Sequence, residues 1–383
     1  PFLRRFGRNT YLGGYMDFVF RQEEKGTDPL GKRSTSHGFD QGRFIPFIFS
    51  DISDRVKLAA EIEIEHGGVD KDRLDKGGGK VIMEFATIDF LITDWINWRG
   101  GLILTPLGKL NLIHDSPLLD LTDRPMVSRF IIPTTLTDAG MGFFGTYYPS
   151  ELSKLDYEIY VTNGVFHGLD RGAARSNFGV NSGLRGSVNK KGLQFDGYNE
   201  SPGVVGRVAF SPFLGLELAG SAYTSRYDEE NKNQLTIPAF DFFYQKGAFE
   251  LIGEGAYAFI ERDSVAKAAG VASDMWGYYI EPRYHFMPPM LRDWAPGIFT
   301  DHSTFTGVVR WEQVQTSEID RVRPDKSVVD GRENWLRTRI TPGINYRYTE
   351  DTVFKLDYQI NVEQKDMSDF ANNAFIFSVA TYF

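Results

Sequence analysis

Apolar and polar residues alternate from Val56 to His66, with Ala59 the one small apolar residue on the polar parity. Val56, Leu58, Ala60, Ile62 and Ile64 share one parity, while Lys57, Glu61, Glu63 and Glu65 share the other. A period of two belongs to a β-strand with one apolar and one polar face. The dyad returns at Leu155, Tyr157, Ile159 and Val161 against Asp156, Glu158 and Thr162, and at Phe354, Leu356, Tyr358, Ile360 and Val362 against Lys355, Asp357, Gln359 and Asn361. Marked along the whole chain, the pattern predicts sixteen strands near 11–22, 39–50, 56–66, 80–92, 98–105, 140–148, 155–166, 203–211, 215–225, 235–244, 248–261, 276–286, 303–315, 334–348, 352–363 and 372–383. Many are longer than the roughly 5 or 6 residues usual in globular sheets and match the roughly 9 to 11 that a tilted membrane strand needs.

The connections alternate as well. Tight turns are expected at Asp51 to Arg55, Thr93 to Asn97, Pro149 to Lys154, Pro212 to Leu214, Gln245 to Gly247 and Thr349 to Asp351. Long charged loops are expected at Glu23 to Gly38, Gly67 to Gly79, Pro106 to Ala139, His167 to Pro202, Arg226 to Gln234, Arg262 to Met275 and Thr316 to Glu333. Short turns at one end and long loops at the other are the mark of a membrane barrel. Met287 to His302 is long where a short turn is due, and its Pro288-Pro289 and Trp294 suggest a small interfacial excursion. The predicted fold is therefore all-β: a transmembrane antiparallel β-barrel of about sixteen strands forming one domain over residues 1–383. A closed barrel satisfies its backbone between strands and so tolerates hydrocarbon. Sixteen strands enclose a space too wide for side chains to fill, which implies a water-filled lumen faced by Lys57, Glu61, Glu63 and Glu65.

Composition narrows this further. Hydrophobic residues are 42% of the 383, mean hydropathy is −0.30, and no apolar run reaches the 18 or so residues of a membrane helix. Aromatic residues at 14% find a place in interfacial girdles, with Trp95, Trp98, Tyr147, Tyr148, Trp335, Tyr346 and Tyr348 near predicted strand ends. A net charge of −9 argues against nucleic acid as a partner. Cysteine is absent and does not locate the protein. Pro1 to Arg5 lacks the apolar core of a signal peptide, and numbering is read as starting after a processing site or other boundary. The alternating Phe375 to Phe383 looks like the last strand of outer-membrane proteins, although any β-protein can end on a strand.

One constellation carries more. Thr105-Pro106-Leu107-Gly108-Lys109-Leu110 is followed by Asp115-Ser116-Pro117, by Thr122-Asp123-Arg124-Pro125 running to Arg129, and by Gly140-x-Gly142-x-x-Gly145. With Tyr157 to Gly164, this stretch of about residues 98 to 165 resembles the porin O/P family of phosphate-selective outer-membrane porins. The resemblance implies a loop between strands five and six, within 106–139, that folds into the barrel and narrows it. It also implies a homotrimer in the bacterial outer membrane, surrounded by lipid and lipopolysaccharide and passing small hydrophilic solutes or ions. By the same resemblance the constriction candidates are Lys109, His114, Asp115, Asp120, Asp123, Arg124 and Arg129, although loop ion pairs account for any one of them equally well. The family's arginine- and lysine-lined pore is not matched by Glu61, Glu63 and Glu65, so phosphate selectivity is not carried over.

Chemistry beyond conduction is not expected. The glycine triplet is also a dinucleotide fingerprint, but alternating aromatics follow it instead of a helix, and close strand packing explains it better. The six histidines show no metal-ligand spacing, and no Gly-x-Ser-x-Gly or phosphate-cradling loop is present, so no metal, cofactor or enzymatic activity is expected. The acidic runs Asp70-Lys71-Asp72 and Asp228-Glu229-Glu230 are read as solvated loops before calcium sites. The leading expectation is a passive porin. Alternatives are a barrel scaffold hosting a partner, a lipid-acting barrel enzyme with a cross-strand Ser-His pair, and a secreted soluble β-protein.

Overall fold

A computed structural model describes residues 3–6, 9–27, 33–68, 79–166, 184, 189–190, 201–228, 230–268, 271–322, 328–363 and 372–383. Sixteen long strands follow one another around a single sheet: β1 (Thr10–Thr27), β2 (Arg33–Asp51), β3 (Val56–Glu65), β4 (Lys80–Leu91), β5 (Asn97–Leu104), β6 (Thr137–Ser150), β7 (Ser153–Thr162) and β8 (Gly203–Phe213), then β9 (Leu216–Arg226), β10 (Gln234–Lys246), β11 (Phe249–Ile260), β12 (Asp274–Phe286), β13 (Thr304–Val322), β14 (Val328–Arg347), β15 (Thr352–Glu363) and β16 (Ala374–Tyr382). Each pairs antiparallel with its neighbour in sequence. The ring closes where β16 meets β1, in a register running from Ala374 opposite Glu23 to Tyr382 opposite Tyr15. Arg4–Phe6 adds a short pairing to the start of β1. A closed antiparallel ring leaves no unpaired edge.

All sixteen strands of the sequence reading are present. The differences lie in two hairpins, where β1 and β2 run on to leave only 28–32 between them, and β13 and β14 run on to leave 323–327. The loops expected at Glu23 to Gly38 and Thr316 to Glu333 are thus largely strand. Their residues are polar on both parities, so no dyad marks them, and ladder hydrogen bonds alone carry them. Loop 287–303 contains a short helix, α3 (Pro289–Trp294), with Met290 and Trp294 exposed, in keeping with the expected excursion. Among the described residues, α1 (Met126–Phe130) and α2 (Ser264–Ala268) are further short helices, and Ser116–Leu118 forms a single 3-10 turn. Most of loop 167–202, and Asp70 to Asp72, lie outside the described residues, as does Glu229. The Asp228 carboxylate accepts hydrogen bonds from the Lys232 and Asn233 amides at 2.9 and 3.0 Å, so it closes a local turn.

Burial runs opposite to that of a soluble protein. On β15, Phe354, Leu356, Tyr358, Ile360 and Val362 are exposed, while Lys355, Asp357 and Gln359 between them are buried. The same inversion appears at Ile280 against Glu281, and at Val309 and Trp311 against Arg310 and Glu312. Exposed Trp95, Tyr147, Tyr148 and Tyr348 cluster at the short-turn end, whereas the Trp335 side chain lies outside the description. Gly140, Gly142 and Gly145 all sit on β6 between β5 and β7, where a Cβ on Gly142 would come within 2.0 Å of the Ile159 carbonyl. Close strand approach therefore explains the triplet, and a strand turn rather than a helix follows it.

Candidate functional site

The segment between β5 and β6 is tied at its base. The Thr105 amide and hydroxyl both donate to the Leu136 carbonyl at 3.0 Å. Asn111 completes the knot, donating to the Thr105 carbonyl at 2.7 Å and accepting from the Leu136 amide at 2.8 Å. A loop with its ends joined and its interior packed by its own side chains is compact rather than slack. Leu107, Val127, Ile131, Ile132 and Leu136 are buried in one cluster with Tyr160, Val205, Tyr223, Ala239, Ala256 and Tyr279 of the strands. Small residues on β10 and β11 leave room for that apolar side.

The polar side of the segment is pinned to charged side chains on many strands. The Leu110 amide and the Ser128 hydroxyl donate to the two oxygens of Glu254 at 3.0 and 3.1 Å. The Met126 amide, at the start of α1, donates to Glu312 at 2.5 Å. The Ser116 carbonyl accepts from Lys355 at 2.6 Å, that of Pro117 from Arg347 at 2.6 Å, and that of Asp123 from Arg310 at 2.7 Å. Buried backbone groups left without such partners would each cost about 1–3 kcal/mol. Glycine matters at two of the contacts, through its backbone at Gly108 and through close packing at Gly343. Gly108 has φ +71° with its Cβ position 2.6 Å from Glu254, and a Cβ on Gly343 would stand 2.5 Å from Leu121.

The candidate residues fall into distinct settings. Lys109 pairs with Glu217 at 3.0 Å and lies over the Phe243 ring. Asp120 is buried between Arg283 at 3.0 Å and Arg347 at 2.8 Å. Asp123 pairs with Arg21 at 2.5 Å and accepts from Gln359 at 2.6 Å. Asp115 accepts from the Tyr382 hydroxyl at 2.7 Å, and His114 meets Glu84 at 3.1 Å. Arg124 has no hydrogen bond at Nε or Nη2 among the described residues, and Arg129 is exposed. On β3, Lys57 pairs with Asp51 at 2.9 Å and Glu65 with Lys80 at 2.9 Å. Glu61 and Glu63 are buried, Glu63 against Arg43 at 3.3 Å, so water reaches the β3 acids chiefly at Glu65.

The strand partners were missed by the sequence reading. Their signal was present nonetheless: Glu281 and Arg283 share one parity of β12 and Arg310 and Glu312 one parity of β13, with exposed Ile280, Tyr284, Val309 and Trp311 on the other. Beside the segment lies a cavity of about 350 Å³ in which Arg21, Arg43, Arg129 and Lys355 oppose Asp17, Asp40, Asp123 and Glu65.

Burial disfavours ionised Asp120, but Arg283 and Arg347 outweigh it and hold its carboxyl below the usual range. For Asp123 burial is likewise outweighed, by Arg21 first, and its carboxyl also lies low. A depressed folded-state pKa contributes stability that is complete above the unfolded value, about 3.9, and is lost as pH falls through the folded one. The segment is therefore expected to stay docked on acidification to about pH 4 and to loosen only below it. Hydrogen exchange in peptides spanning 115–124, corrected for intrinsic rates, measures this. Loss of protection near neutrality would contradict it.

Comparison with known proteins places the fold. No protein-family model matches the chain. An uncharacterized protein of Aquifex aeolicus (strain VF5) is 24% identical over an alignment of 299 positions that covers 73% of this chain and 65% of that protein, just under two thirds of the relative's length. Among solved structures, Salmonella typhi OmpF, in complex with daunomycin, aligns with a TM-score of 0.60 at 11% identity over 99% of both chains. The anion-selective porin of Comamonas acidovorans aligns with a TM-score of 0.57 at 10% identity, over 98% of this chain and 99% of that one. The outer-membrane channel DcaP of Acinetobacter baumannii gives 0.55 at 9% identity over 99% of both. At these identities the likeness is one of fold, and the chain shares that closed antiparallel barrel over nearly its whole length.

Proposed function

We propose that the chain is a porin of the bacterial outer membrane, a single barrel domain that passes small hydrophilic solutes and ions by passive diffusion. One observation carries the reading: on β15 the exposed positions are apolar and the buried ones are Lys355, Asp357 and Gln359. Such a surface is stable only where hydrocarbon replaces water outside, and a charged interior is stable only where water and counter-charges fill it. Segment 106–139 crosses the lumen as its constriction, a reading supported by its contacts with the polar faces of β1, β4, β9 and β11 and of β13 to β16. The motifs of this segment resemble those of the porin O/P family, and a homotrimer in a lipid and lipopolysaccharide surround is the matching assembly.

Selectivity follows from the mixture of charges. Acids and bases face one another across the cavity beside the segment, and opposed charges in a narrow low-dielectric passage cancel much of each other's field. The channel is expected to conduct in discrete steps in planar bilayers and to show weak ion preference in reversal-potential measurements across a salt gradient. A barrel that inserts and never conducts would remove the porin reading. A strong anion preference that collapses on Arg124→Ala and Arg129→Ala would restore a phosphate-type pore.

A further inference from the structure

We infer that Glu61, Glu84 and His114 form a binding site for one divalent transition-metal ion, zinc being the best fit, where the inward segment meets β3 and β4. The three side chains offer a carboxylate oxygen each from the strands and an imidazole nitrogen from the segment, and these atoms lie within 4.8 Å of one another. All three are sealed from solvent, with Glu61 3% exposed and Glu84 and His114 1% each. The Glu61 Oε1 and Glu84 Oε2 atoms accept no hydrogen bond from another donor among the described residues, so only a proton shared between the two carboxylates or a bound cation relieves them.

The histidine fixes the orientation of the third ligand atom. Its Nδ1 lies 3.2 Å from the Asn111 carbonyl oxygen, which can only accept, so Nδ1 carries a hydrogen. His114 Nε2 faces Glu84 Oε1 at 3.1 Å, a contact that either a proton on Nε2 or a metal ion joining the two atoms satisfies. The second buried carboxylate, Glu61, puts two acids against a single imidazole. Glu63 is already held by Arg43 at 3.3 Å, and the Arg124 Nε and Nη2 atoms make no hydrogen bond to either acid. A divalent ion answers all of these at once: two carboxylates and a neutral imidazole are a borderline-soft ligand set, and the added +2 balances two negative charges. The Nδ1 hydrogen bond to a backbone carbonyl is the outer-shell arrangement that orients metal-bound histidines. Asn111 is itself fixed by Thr105 and Leu136, and the Thr135 hydroxyl donates to Glu84, so ligands from two strands and the segment are held in place. The three positions are far apart in sequence, which is why histidine spacing carries no trace of the site. The inference does not depend on whether the barrel conducts.

The test uses the full chain in detergent, stripped with a chelator and titrated with zinc and then with cobalt. Zinc uptake of about one ion per chain is expected, together with visible cobalt absorption of a nitrogen–oxygen ligand set. Glu61→Gln and His114→Gln, checked for folding by circular dichroism, should each weaken binding at least about tenfold. Absence of uptake by the unsubstituted chain, as when a shared proton occupies the site, overturns the proposal, and so does unchanged uptake by the folded variants. Should neither variant fold, the cobalt spectrum of the unsubstituted chain decides alone, since a spectrum without a nitrogen ligand removes His114.

Discussion

Glu281→Ala is expected to cost the barrel about 3–5 kcal/mol of stability, the usual penalty for stranding a buried charge. Glu281 is fully buried on β12, with one oxygen 2.6 Å from Arg283 and the other 2.6 Å from Arg310. Arg283 has other partners in Asp120 at 3.0 Å and Glu250 at 2.5 Å. Arg310 is less well provided: without Glu281 it retains chiefly the Asp123 carbonyl at 2.7 Å and a position over the Tyr279 ring. The effect should reach the segment, because Asp120 and Asp123 lean on these same arginines. Glu281→Gln keeps the shape and one acceptor, so its loss should fall to roughly 1–3 kcal/mol. Urea unfolding followed by tryptophan fluorescence in lipid vesicles would measure both. A loss for alanine below about 1 kcal/mol would mean that water already screens the network, as at an exposed ion pair.

The second large effect concerns the outside of the wall. Leu356→Arg should destabilise the barrel in lipid by about 2–4 kcal/mol, whereas Val362→Arg should cost about 0–1 kcal/mol, because the penalty for a cation on the lipid face falls towards the membrane interface. Leu356 stands in an apolar row across three strands, opposite Ile344 on β14 and Phe377 on β16, and Phe377 continues the row to Phe20 on β1. A guanidinium there has no acid partner on its face, and its neighbours are the groups that hydrocarbon would cover. Val362 lies one residue from the end of β15, where an arginine reaches the interface by extending its stem. The comparison of the two sites is the informative quantity. Equal and negligible costs would place the exterior in water and remove the membrane reading.

The strand count, the two faces and the sorting of short turns from long loops could be read directly from the chain, because each is a local property. A period of two in Val353 to Val362 states which side chains share a face wherever the strand ends up. That residues 106–139 connect two strands was legible for the same reason, through the break in periodicity, whereas their inward course was implied only by the family resemblance. Two things were not. The hairpin extensions at β1–β2 and β13–β14 left no dyad, since strands polar on both sides look like loops to any pattern of faces. The interior pairings also escaped: Asp120 with Arg283 and Arg347, Asp123 with Arg21, and Glu84 with His114 join residues brought together only by the closed ring. Sequence shows that Glu61 and Glu63 point away from the apolar face, but only the tertiary structure makes these acids buried ones, Glu63 against Arg43 and Glu61 beside Glu84 and His114. Alternation is set by the backbone of a single strand, whereas burial and charge pairing depend on the closure of all sixteen.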